Sequence, residues 1–143
     1  MSDEVRGRTL NELANAACEI ACSKGWHDKP VPIAQYAALI HSEVSEMYEQ
    51  HRAGRDANEV YFVASEAVMV FRRLSPIDPE NCARTVRDAE QGVKFEGIPI
   101  ELADVIIRVL DMACDLGIDI EAAVEAKMAY NATRPHMHGG KRE

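Results

Sequence analysis

The chain has 143 residues, 47% hydrophobic and 28% charged, a balance that fits one folded domain and excludes wholesale disorder. Lys and Arg total 16 against 24 Asp and Glu, and the formal net charge of -8 argues against a binder of nucleic-acid polymers, which need a basic face. Every long apolar run is broken by Glu, Asp or Arg, and residues 1–8 precede no signal core, so the expectation is a cytoplasmic protein with no membrane partner.

The four cysteines, Cys18, Cys22, Cys82 and Cys114, form no CxxC pair and no zinc-finger spacing with histidine. They read as core thiols in a reducing compartment rather than as a disulfide or a soft-metal site.

Thr9 with Glu12 predicts a capping box. Leu10, Leu13, Ala14, Ala17, Cys18 and Ala21 then recur at helical spacing, and Gly25 is a stop. Residues 25–32 hold Trp26, His27, Asp28 and two prolines, a loop composition. A second helix is expected from Pro32 to Gly54, with Ile33, Tyr36, Ala37, Ile40, Val44 and Met47 on its apolar face. A third is expected over Asn58 to Leu74, with Val60, Val63, Ala64, Ala67, Val68 and Phe71 inward. Prolines break the chain at Ser75 to Pro79, and Asn81 to Glu90 suits a short polar helix. Gln91 to Gly97 is a loop or a small hairpin.

Pro99 suits the first turn of a helix that runs from Ile100 to about Leu116 and ends at Gly117. Asp119 caps a last helix through Ala129 and Asn131, closed by Pro135, and residues 136–143 read as a flexible tail. Strand signals are weak throughout, so the expected fold class is all-α, a helical bundle in one domain, 1–143.

Two helices carry charge where their patterns call for none. At 100° per residue, Glu43 falls inside the apolar arc of the second helix, Glu46 lies at its edge and Glu49 points to the opposite side. A carboxylate among core positions is costly unless it is paired or bound to metal. On the helix after Pro99 only a narrow stripe is polar: Glu101, Asp104, Arg108, Asp111 and Asp115. Alone, that stripe is a solvated face on which Arg108 pairs with Asp104 and Asp111. Together, Glu43-x-x-Glu46 and Glu101-x-x-Asp104 would gather four carboxylates if the two helices faced one another. Such a cluster repels itself and calls for a hard divalent cation, Mg²⁺ or Mn²⁺ in its place, not Zn²⁺. An oxygen-activating di-iron bundle needs Glu-x-x-His pairs, and Ala38 and Tyr48 stand where His41 and His51 would require glutamate.

With Lys127-Met128-Ala129-Tyr130-Asn131 and Arg134-Pro135, these acidic pairs resemble the MazG-type family of all-α nucleoside triphosphate pyrophosphohydrolases. The resemblance covers roughly residues 9–55 and 94–141, and His138-Gly139-Gly140-Lys141 adds to it. It implies Mg²⁺-dependent hydrolysis of an NTP or dNTP to the monophosphate and pyrophosphate. Glu43, Glu46, Glu101 and Asp104 would then be metal ligands, and Glu43 or Glu46 would activate water. Lys127, Asn131 and Arg134 would bind phosphate or sugar, although by spacing alone they are an exposed face and a C-terminal cap. Trp26 is a base-stacking residue or a half-buried loop anchor. His136, His138 and Lys141 would close over phosphates or belong to a solvated tail.

The family usually separates its acidic pairs by a short stretch, so residues 56–93 read as a helical insert. Phosphoribosyl-ATP or an alarmone is an alternative substrate, and a non-catalytic helical interaction module is an alternative role. The helix over residues 100–116 is apolar around most of its circumference, which predicts a bundle completed in a homodimer or homotetramer.

Overall fold

Thr9 starts the first helix as its sequence dictates: its hydroxyl accepts from the Glu12 amide at 3.2 Å, and Glu12 accepts from the Thr9 amide at 2.7 Å. The structure, a computed structural model, describes residues 7–64, 67–72, 80 and 93–136. In chain order it contains α1 (Leu10–Ser23), α2 (Ile33–Arg52), β1 (Glu59–Ala64), β2 (Ala67–Arg72), β3 (Lys94–Glu96), α3 (Ile98–Asp115) and α4 (Ile120–Ala132). The fold is all-α apart from one small sheet, as the apolar periodicity predicts. No helix among the described residues is long and apolar enough to cross a membrane. The chain forms two compact units, Met1–Pro30 with Val109–Glu143, and Val31–Arg108.

In the first unit, Ala14 and Ala17 of α1 and Leu110 of α3 are buried together, with Leu10, Leu13, Cys114 and Ile120 against them. Small residues on α1 let the helices approach closely. Asp119 caps α4 by accepting from the Ala122 amide at 3.0 Å, and Asn11 ties that cap to α1 by donating to Asp119 Oδ1 at 2.9 Å. The same Asn11 accepts from the Glu121 amide, and its hydrogen bond holds the Asp119 carboxyl below its ordinary pKa. α1 ends in a Schellman turn: Gly25, at φ +81°, donates to Cys22 O and Trp26 donates to Ala21 O. Gly54 and Gly117 end α2 and α3 in the same way. The fifth-last residue of the tail reading, Gly139, and its neighbours 137–143 lie outside the described residues, as do Ser75–Pro79 and the short helix expected over Asn81–Glu90.

The second unit holds the main correction. The helix expected over Asn58–Leu74, and with it the helical character of the 56–93 insert, gives way to β1 and β2. They pair antiparallel, with Val60 opposite Phe71, Val63 opposite Val68 and Ala64 opposite Ala67. These are the six residues that the 3.6-residue period selects as a helix face. Their list is symmetric about positions 65–66, so one pattern serves a helix stripe and a set of cross-strand partners alike. Val60, Tyr61, Phe62 and Val63 decide the outcome: a continuous β-branched and aromatic run suits a strand covered on both sides. Within it Val60, Tyr61 and Phe62 are all buried. β1 is central, in the order β2-β1-β3, and Phe62 stacks on Phe95 of β3 at 4.5 Å between centroids.

α2 buries Tyr36 and Glu43. Ile33, Ala37 and Val44, expected inward, are exposed, so the buried side of α2 is narrower than the apolar arc drawn from sequence. α3 begins at Ile98, two residues before its expected start, because Gly97 breaks the strand. Gly97 has φ +131°, and its carbonyl accepts from the Ile100 and Glu101 amides at 2.9 and 3.0 Å. A Cβ on Gly97 would run into the Glu59 carbonyl oxygen of β1. Gly97→Ala is therefore expected to lower stability by about 2–3 kcal/mol, since it adds a backbone clash to a φ that L-residues avoid. Urea denaturation checks this, and an unchanged midpoint would disprove the close strand-to-helix junction.

Candidate metal centre

α2 and the first turns of α3 bring acidic side chains together inside the second unit. Oxygens of Glu43, Glu101 and Asp104 lie within 4.8 Å of one another. Glu43 and Glu101 are 8% and 5% exposed, so these are not ordinary surface carboxylates. Glu49, on the far side of α2, pairs with Arg52 at 2.9 Å in an exposed contact. Glu46 is exposed and stands outside the tight cluster, yet its charge is the largest electrostatic influence on Glu101. The sequence arc thus picks out Glu43 as the buried glutamate of α2, while Glu46 and Glu49 are both exposed.

Burial pushes the Glu101 carboxyl up from 4.5 to about 7, helped by the negative charges of Glu46, Asp104, Glu43 and Glu96. Asp104 is raised for the same reasons, first burial and then Glu43, with Arg108 opposing. At separations of 4.8 Å or less, each fully charged pair repels by about 3 kcal/mol or more at an effective dielectric of about 20. The guanidinium of Arg108 offsets part of this: its Nε donates to Glu43 Oε1 at 3.0 Å. One guanidinium cannot balance three carboxylates. The donor set is all oxygen, acidic and largely buried, which is what a hard divalent cation requires.

Two members of this environment escape the sequence pattern. Arg108 was expected to pair along its own helix, with Asp104 and Asp111; its charge acts on Asp104, its Nε reaches Glu43 of α2, and Asp111 pairs with His27 Nε2 at 2.8 Å. The signal was present, because residues 101, 104 and 108 share one face of α3. Glu96 had no such signal. It joins the acidic environment through β3, an element indistinct in sequence. Beside it the Tyr61 hydroxyl donates to Gln50 Oε1 at 2.6 Å, and burial raises the Tyr61 pKa. Arg55 lies 4.0 Å over the Tyr61 ring and binds buried Glu59 at 2.8 Å. This network anchors β1 to the end of α2.

The expected substrate residues belong to the other unit. Lys127, Asn131 and Arg134 are exposed on or just after α4. Lys127 Nζ sits 4.7 Å from the centre of the Tyr130 ring and the Arg134 guanidinium 6.0 Å from it, so the two cations flank one exposed aromatic. Trp26 is half exposed in the turn after α1. His136 is exposed, and His138 and Lys141 lie outside the described residues.

A stretch of 36 residues is 50% identical to a dATP/dGTP diphosphohydrolase of Cyanophage S-2L; it makes up 25% of this chain and 34% of that protein. The chain thus spans about a third of the length of the relative it matches. No family model matches the chain, and no solved structure does.

The raised Glu101 pKa has a definite sign in stability. The folded chain holds a proton on Glu101 that the unfolded chain has released above pH 4.5, so without divalent cations stability falls as pH rises from about 4.5 to 7. Glu101→Gln is expected to flatten that slope and to raise Tm above pH 7 in EDTA. Thermal melts across this range check it, and a parallel slope in the variant would disprove the assignment.

Proposed function

We propose that the chain is a cytoplasmic, Mg²⁺-dependent nucleotide pyrophosphohydrolase of the MazG type, converting an NTP or dNTP to the monophosphate and pyrophosphate. The observation that carries this reading is the buried carboxylate cluster of Glu43, Glu101 and Asp104, with Glu46 at its rim. The 36-residue likeness to a dATP/dGTP diphosphohydrolase supports the same chemistry and makes purine deoxynucleotides the first substrates to try.

Glu43, Glu101 and Asp104 would hold the cation, with Glu46 as a further ligand or base. When bound, Mg²⁺ supplies the positive charge that draws a triphosphate to an acidic site and offsets charge developing on its phosphoryl oxygens. The residues divide the remaining work by environment. Glu43 is committed to Arg108, whose Nε donates to it and fixes its carboxylate. Glu46 is exposed, so it is the better general base for water attacking the bond between the first two phosphorus atoms. Water's proton goes to Glu46, its oxygen joins the nucleotide phosphorus and pyrophosphate leaves. Lys127, Asn131 and Arg134 are the proposed phosphate and sugar contacts, with Trp26 a stacking surface for the base.

Leu102, Ile106 and Ile107 of α3 are about half exposed in the single chain, and no residue of α4 is fully buried. A homodimer or homotetramer would cover such apolar helix faces. Sedimentation at micromolar concentration should therefore show no monomer, and a monodisperse monomer would sink this part.

Incubation with Mg²⁺ and a panel of NTPs and dNTPs should release pyrophosphate and nucleoside monophosphate. Orthophosphate with a diphosphate product would place the cleavage elsewhere, and no turnover on any nucleotide would favour a non-catalytic module. Glu43→Gln and Asp104→Asn are expected to lower turnover by more than about 100-fold with the fold intact, whereas Glu49→Gln changes it little. Near-normal rates in both site variants would refute the metal assignment.

A further inference from the structure

A second donor set, of opposite chemistry, lies in the first unit. Cys18 and Cys22 stand one turn apart on α1, and the Schellman turn at Gly25 folds the following loop back onto that turn. His27 is thereby returned to the cysteines: Sγ of Cys18, Sγ of Cys22 and a ring nitrogen of His27 lie within 4.8 Å of one another. Cys114 of α3 joins them through a thiol contact with Cys18, while its own Sγ lies 3.7 Å from Asn15 Oδ1. The expectation of core thiols holds only in part, since Cys18 and Cys114 are half-buried and Cys22 is exposed; Cys82 lies outside the described residues.

We propose that Cys18, Cys22 and His27 form a zinc site, with Cys114 as the fourth ligand. Two or three sulfurs and one imidazole are the donors that Zn²⁺ takes in tetrahedral structural sites. Sulfur ligands of such a site lie about 3.8 Å apart, inside the 4.8 Å within which Cys18, Cys22 and His27 already stand. Asp111 Oδ1 lies 2.8 Å from His27 Nε2, a carboxylate contact of the kind that orients metal-bound imidazoles. Asp115 lies 3.5 Å from Nδ1 and adds negative charge beside the cation. The sequence spacing hides this set, because Cys-x-x-x-Cys-x-x-x-x-His is no zinc-finger pattern and Cys114 is distant in sequence. A zinc ion would deprotonate the thiols, so binding releases protons. It would pin the loop bearing Trp26 to α1 and α3, a structural role separate from the acidic centre.

The test is titration of the reduced full chain with Co²⁺ in excess Mg²⁺, followed by Zn²⁺. Expected are a thiolate-to-cobalt charge-transfer band and strong tetrahedral ligand-field bands that saturate at about one ion per chain and are abolished by equimolar Zn²⁺. Cys22→Ser, at an exposed position that leaves packing intact, should weaken cobalt binding at least about 10-fold, as should His27→Ala. Glu43→Gln should leave the spectrum unchanged, which separates this site from the acidic one. An unaltered spectrum in Cys114→Ser would overturn the fourth ligand. Absence of the charge-transfer band, its full retention in Cys22→Ser, or a Cys18–Cys114 disulfide in place of metal in the isolated chain would overturn the site.

Discussion

Like charges do not share a buried space without a positive partner, and the second unit is organised around that constraint. Glu43, Glu101 and Asp104 converge from two helices, and the single charge of Arg108, bonded to Glu43 and acting on Asp104, cannot balance all three. Burial first, and then the neighbouring carboxylates, raise the Glu101 pKa. A protein selected for stability alone would place apolar side chains there, since a well-packed hydrophobic group avoids both desolvation and repulsion. The charge is therefore the best internal evidence that the site serves something other than folding.

Much of the helical framework was legible in residues. Thr9 with Glu12, Gly25, Asp119 and Gly117 act through hydrogen bonds within a few positions of themselves, and local chemistry can be read locally. The burial of Glu43 and the exposure of Glu49 were legible for the same reason, because one helix fixes both directions. The sheet was not. Val60, Val63, Ala64, Ala67, Val68 and Phe71 satisfy both periods, and the β-branched and aromatic run of Val60–Val63, paired with β2 on one side and β3 on the other, separates strand from helix. The bond from Arg108 to Glu43 and the place of Glu96 were not legible, because both are set by tertiary approach. The cysteines were undervalued because a turn, not a spacing, brings His27 to them.

The two candidate sites divide the periodic table between them. The acidic one offers oxygen alone and suits a hard cation that exchanges readily with water and phosphate. The thiol set offers sulfur and nitrogen and suits a cation held tightly in a closed shell. The thiol set would reject Mg²⁺ by softness, whereas the acidic set would exclude Zn²⁺ only through geometry and the scarcity of the free ion.

The junction at Gly97 carries a consequence for the length of the chain. β3 is held to β1 by its ladder, Gly97 presses on the Glu59 carbonyl, and Glu101 follows four residues on. One residue inserted between Gly97 and Glu101 would turn the rest of α3 by about 100° against its fixed start. The acidic stripe would then leave the cluster even though every carboxylate remained in the sequence. Over this stretch, related chains should vary in residue identity far more freely than in residue number.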